Sequence, residues 1–197
     1  MGIQDSCAAT FPLPPGPATR PGAAHPLAPI DVRAATERLD VAAKGGDPLA
    51  ILTLALSREA RGALPAALDG CACTDATTLY DAASAQFEAG RVGAAVCLLT
   101  PLLLEDGLEP DPLLALAVCA ARLERLDAAL FYAEQAIFRG CRHPRAFCLA
   151  GLGALNCGDR NVALDRLALA ARLARRSAAY RGDLRAAQRL LLSLHFD

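Results

Sequence analysis

Tryptophan is absent from the chain, methionine occurs once, and aromatic residues make up only 5% of its 197 positions, although 54% are apolar. A core without large rings has to be assembled from many small aliphatic contacts, and alanine and leucine favour closely packed helices over a sheet. Long hydrophobic runs are also missing. The longest, AAVCLLTPLLL at 94–104, contains a proline and falls short of the roughly 20 residues a membrane span needs, so no stable membrane insertion is expected. Nor is there a surplus of positive charge. A formal net charge of −1 argues against nucleic-acid binding, since neutralising phosphates requires basic residues in excess. The sequence opens without a charged-then-apolar leader, so no cleaved secretion signal is expected. Lysine is almost absent too: Lys44 stands alone against nineteen arginines. With the alanine and leucine excess, this suggests a GC-rich bacterial source and a location in the bacterial cytoplasm.

Chemistry-bearing groups are equally sparse. The eight cysteines show neither a disulfide framework nor zinc-site spacing. Cys71 and Cys73 form the one tight pair, and no metal or cofactor is expected. The histidines, His25, His143 and His195, lie far apart with no carboxylate at helical spacing to make an acid-base or metal site. GLGALNCGD at 151–159 superficially looks like a phosphate loop, but Asp159 stands where a lysine belongs and a helix, not a strand, precedes the turn. No GxSxG elbow occurs. The reading is therefore of a protein that is not an enzyme.

Seven of the thirteen prolines fall within residues 1–30, which predicts a disordered, proline-rich tail. Its opening, MGIQDSC, carries the pattern for acylation at Gly2, with Ser6 and a nearby Cys7. Helical patterning starts at Asp31, a capping residue. A first helix is expected to end at Gly45-Gly46, and Asp47 and Pro48 start a second, running to Gly62. Residues 31–75 form a helical region of their own.

From residue 76 the sequence repeats. Windows opening at 76, 110 and 144 are equally spaced, since 110 − 76 and 144 − 110 are both 34. Position four is large and apolar (Leu79, Leu113, Phe147), position eight is small (Ala83, Ala117, Gly151) and position twenty is alanine (Ala95, Ala129, Ala163). Small residues are needed where two helices cross closely, because a larger side chain would push their axes apart. Position fifteen is Gly90 and Gly158 in two windows and Glu124 in the third. In the stretch NCGDRN, Gly158 closes one helix in the left-handed conformation, and Asp159 or Asn161 caps the next. Pro101 falls inside the second helix of the first window and is expected to bend or end it. Each window is thus a helix-turn-helix, giving units at 76–109, 110–143 and 144–177. The last stretch, 178–197, reads as a capping helix with Leu184, Leu191 and Leu194 inward and Arg181, Arg185 and Arg189 as a solvated stripe.

A 34-residue helix-turn-helix with these small positions resembles the tetratricopeptide repeat. The fold it implies is all-α, a superhelix of three repeats with N-terminal helices and a C-terminal cap. Read together, KGGDPLAIL, TTLYDAASAQFEAGRVGAA and RHPRAFCLAGLGALNCGDRNVALDRLALAARLA are similar to the class II chaperones of type III secretion, the SycD, LcrH and IpgC type. That resemblance implies binding of secreted hydrophobic translocator proteins and self-association as a homodimer, here through residues 31–61. It also implies a concave peptide groove lined by positions five, nine, twelve and thirteen of the first helices. The groove residues, mostly apolar, are then Tyr80, Leu114 and Cys148, then Ser84, Val118 and Leu152, then Phe87, Ala121 and Leu155. Glu88, Arg122, Arg145 and Asn156 form a polar rim. Two other functions share parts of this pattern: a repeat scaffold in another bacterial assembly, and a secreted effector held on membranes by acylated Gly2 and Cys7.

Overall fold

The computed structural model describes residues 13–14, 37, 40–46, 50, 52–53, 76–104 and 109–196. Among the described residues there is no strand. The helices are α1 (Ala76–Glu88), α2 (Val92–Leu99), α3 (Pro110–Arg122), α4 (Leu126–Phe138), α5 (Pro144–Asn156), α6 (Arg160–Ala174) and α7 (Arg181–Phe196). No described helix is long and apolar enough to cross a membrane. The chain divides into two compact units, one of residues 13–112 and one from Leu113 onward.

The helices start in register. First helices open at 76, 110 and 144, second helices at 92, 126 and 160, so every interval between equivalents is 34. The turns that set this register are alike. Gly90, Glu124 and Gly158 have φ of 76°, 59° and 79°, and each N–H bonds to the carbonyl three residues back. The next N–H in each case reaches five residues back: Arg91 to Gln86, Arg125 to Ala120 and Asp159 to Ala154, all at 2.9 Å. This paired pattern satisfies carbonyls that a helix end otherwise leaves without a partner. Of the two capping residues proposed for α6, Asp159 does the work: its Oδ1 accepts the Val162 N–H at 3.1 Å. Pro101 ends α2 outright, and the chain continues as a 3-10 turn over Thr100–Leu104. Proline supplies no N–H to the helical ladder; one turn earlier the Thr100 hydroxyl donates to the Val96 carbonyl at 2.8 Å.

Positions eight and twenty sit where the helices crowd. Ala83, Ala117, Ala95, Ala129 and Ala163 are all fully buried. A Cβ added to Gly151 would lie 2.7 Å from Leu167 Cγ and 3.4 Å from the Ala163 carbonyl oxygen, so α5 and α6 meet at the two positions picked out by their size. Gly153 makes a second close approach, which periodicity alone does not single out. A Cβ there would stand 2.4 Å from Leu130 Cβ and 2.9 Å from the Leu126 carbonyl, pinning α5 against α4.

In the unit from Leu113 onward, α5 is enclosed by α4, α6 and α7, and every residue from Pro144 to Ala154 is buried. Leu152, Ala154, Ala163 and Leu167 pack with Leu190 and Leu194 of α7. The inward stripe of α7 is Asp183, Ala186, Ala187, Leu190 and Leu194. Of the three leucines expected inward, Leu194 is buried, while Leu184 and Leu191 are only half-buried. Two polar links add to this packing. The Arg160 guanidinium donates to the Leu194 carbonyl, and Arg166 grips Glu134 through two bonds of 2.8 Å.

In the unit of residues 13–112, α1 packs on α2; Leu79, Tyr80, Ala83 and Phe87 of α1 and nearly all of α2 are buried. Earlier in the chain, residues 40–44 are helical and Gly45-Gly46 ends them as expected. Gly46 has φ 86°, and Ala42 and Ala43 pack against Ala50. Asp31, Asp47, Pro48, Gly62, Cys71, Cys73, the acylation pattern at Gly2 and Cys7, and most of the segment 31–61 proposed for dimerisation lie outside the described residues.

Candidate peptide-binding surface

Tyr80, Ser84, Phe87 and Glu88 share one face of α1, because spacings of three, four and seven residues return to the same side of a helix. Tyr80 is fully buried and Phe87 nearly so; Ser84 is half-buried and Glu88 exposed. The Tyr80 hydroxyl donates to the carbonyl oxygen of Pro14 at 3.0 Å. Pro14 is itself buried, although it falls in the stretch whose proline content predicts disorder. Proline disfavours helix interiors and central strands, but it does not prevent a segment from packing against a face formed elsewhere.

On α5 the expected groove residues make contacts with α7. Arg145, expected at the rim, is buried, and its Nε donates to Asp183 Oδ1 of α7 at 3.0 Å, with 10% and 2% of the two side chains exposed. Cys148 Sγ lies 3.5 Å from the Asp183 carbonyl oxygen. Leu152 and, at its edge, Leu155 belong to the cluster formed with Leu190 and Leu194. These four residues pack against α7. The physical reason is that α7 needs an apolar partner for its own inward stripe, and the α5 face offers one.

The α3 candidates are likewise interior. Leu114, Val118 and Ala121 are buried, as is every residue of this helix from Pro112 to Ala121, the condition of a helix that is apolar on all sides. Arg122 and Asn156 are exposed. Asp183 escaped the sequence reading, although a signal existed. It lies on the apolar stripe of α7, and a carboxylate there requires a buried cation as partner.

Burial raises the Cys119 thiol to about 12, against a smaller opposing effect of the Arg122 charge, so this thiol is inert near neutral pH. Burial also lowers His143, helped by the charge of Arg145 and opposed by Asp183. Its Nδ1 accepts the Arg145 N–H at 3.1 Å, capping α5, and its ring meets Tyr180 edge-on at 4.9 Å. Among the described residues no three metal-ligating side chains converge.

No family model matches the chain, and no curated protein matches it in sequence. Among solved structures it is similar to PcrH in complex with the chaperone binding region of PopD. The identity is 23% and the TM-score 0.54, over 60% of this chain and 89% of that one. With helices in a 34-residue register and this likeness, the fold is assigned: a tetratricopeptide-type helical repeat, the fold of PcrH.

Proposed function

We propose that this protein is a chaperone of type III secretion that binds a hydrophobic segment of a translocator-type protein in the bacterial cytoplasm, without catalysis. The observation that carries this reading is the shared fold with PcrH, whose structure holds the chaperone binding region of a second protein. The residues that resemble the class II chaperones support it: Leu79-Tyr80, Phe87, Gly90-Arg91, Pro144-Arg145 and Gly158. The binding surface is the α1 face carrying Tyr80, Ser84 and Phe87, where apolar area lies beside a hydroxyl able to orient a peptide carbonyl.

Co-expression of the full chain with a secreted hydrophobic translocator-type protein tests this. The expected result is a soluble complex that survives size-exclusion chromatography, with the client insoluble when expressed alone. A client equally soluble alone, and no complex, would remove the proposal. Charged substitutions at Tyr80 or Phe87 are unsuitable, because both side chains are buried. Tyr80→Phe and Ser84→Asp, checked for unchanged helicity, are the informative variants.

A further inference from the structure

The partner of Tyr80 is a segment of the same chain. Pro14 lies 66 residues before Tyr80, and its carbonyl takes the tyrosine's hydrogen bond inside the fold. Leu13 is half-buried beside it, and neither residue is helical. Pro14 is followed by Pro15 in the sequence, so this stretch presents carbonyl acceptors while two successive positions lack N–H donors. Such a segment is poorly suited to a helix interior or a central strand. It needs a donor from outside, and the Tyr80 hydroxyl supplies one. Proline also holds the segment in few conformations before it docks, which lowers the entropic cost of binding.

We propose that Leu13-Pro14 is a built-in occupant of the α1 face, holding the place of a client segment of the same chemistry: an apolar residue next to prolines, with its carbonyls free. This rests on the peptide-binding reading of that face. The occupant is tethered, so it competes at an effective concentration in the millimolar range, and a client binds only as fast and as tightly as the tail lets go. A tail bound about nine-tenths of the time weakens an incoming segment about tenfold.

The test uses the full chain and a fluorescein-labelled peptide of residues 8–19, AATFPLPPGPAT, as the probe. In the variant Leu13→Asp/Pro14→Asp, two charges expel the internal segment, and the probe is expected to bind at least tenfold more tightly than to the wild type. Pro14→Gly, which only loosens the segment, is expected to give about threefold and carries the test alone if the double variant loses helicity. Adding Tyr80→Phe to either variant is expected to weaken the probe about fivefold through loss of the hydroxyl donor. Equal affinity in all these chains, or a gain indifferent to Tyr80, overturns the proposal. The two readings fail separately. If emptying the tail opens a site for the probe but no translocator-type client co-purifies, internal occupancy stands and the chaperone role falls. If the client binds and changes at residues 13 and 14 leave probe affinity unaltered, internal occupancy falls alone.

Discussion

Glu124 and Gly158 hold the same left-handed backbone, at φ 59° and 79°, and each stands at the fifteenth position of its repeat. Glycine takes that conformation without steric cost, whereas a residue with a Cβ costs about 1 kcal/mol or more there. The Glu124 side chain is exposed. Glu124→Gly is therefore expected to stabilise the protein by about 0.5–1 kcal/mol, the strain relieved exceeding the entropy glycine adds to the unfolded chain. That corresponds to a rise in thermal midpoint of about 1–4 °C for a chain of this size, read by circular dichroism. Gly158→Ala should lower it. No rise for Glu124→Gly would mean the turn is held by something other than its backbone preference.

Gly153→Ala is expected to cost about 2–3 kcal/mol. The new Cβ would fall 2.4 Å from Leu130 Cβ and 2.9 Å from a backbone carbonyl, so neither neighbour can step aside by rotating a side chain, and α4 and α5 must separate. Chemical denaturation measures the loss. Leu130→Gly in the same chain is expected to recover part of it if the contact is the cause.

Removing one member of the Arg145–Asp183 pair leaves a buried charge without a partner. Asp183→Ala is expected to destabilise by about 3–5 kcal/mol, while Arg145→Met combined with Asp183→Leu comes close to neutral, since paired burial of charges gains little over apolar packing. Urea midpoints of the two single variants and the double variant decide this. Equal losses in all three would show that the pair contributes by shape alone.

Acidification should weaken α5 through His143. The folded chain holds this imidazole below its usual value of 6.5, chiefly by burial and then by the charge of Arg145. Between the folded and unfolded values the unfolded chain binds the proton and the folded chain does not, so stability falls as the pH drops below about 6.5 and is flat above it. Protonation also blocks Nδ1 from accepting the Arg145 N–H, and a lost cap costs about 1 kcal/mol. Thermal midpoints between pH 7.5 and 5.5 read the effect. His143→Asn keeps a cap without a titrating group, and the drop in that interval should largely disappear.

The repeat was legible because its rules are local. A left-handed turn needs glycine at 90 and 158, a close helix crossing needs alanine at 95, 129 and 163, and Pro101 cannot donate to a ladder; each follows from the residue and its few neighbours. Glu124 shows how far the rule reaches: identity failed at that position while spacing held, and the backbone followed the spacing.

Surface assignment was less legible. Positions five, nine and twelve of a first helix share one face in any helix, but whether that face meets water or another element depends on segments distant in sequence. Arg145 and Cys148 turned out to anchor Asp183, 38 and 35 residues away, and Tyr80 met Pro14.

The sequence by itself determined the number, length and register of the helix pairs, because backbone preferences and side-chain volume act over a few residues. Only the tertiary structure decided which apolar faces remain available, because covering a face depends on which distant stripe or segment finds it. Here α7 covered α5, and a two-residue piece of the proline-rich stretch reached Tyr80.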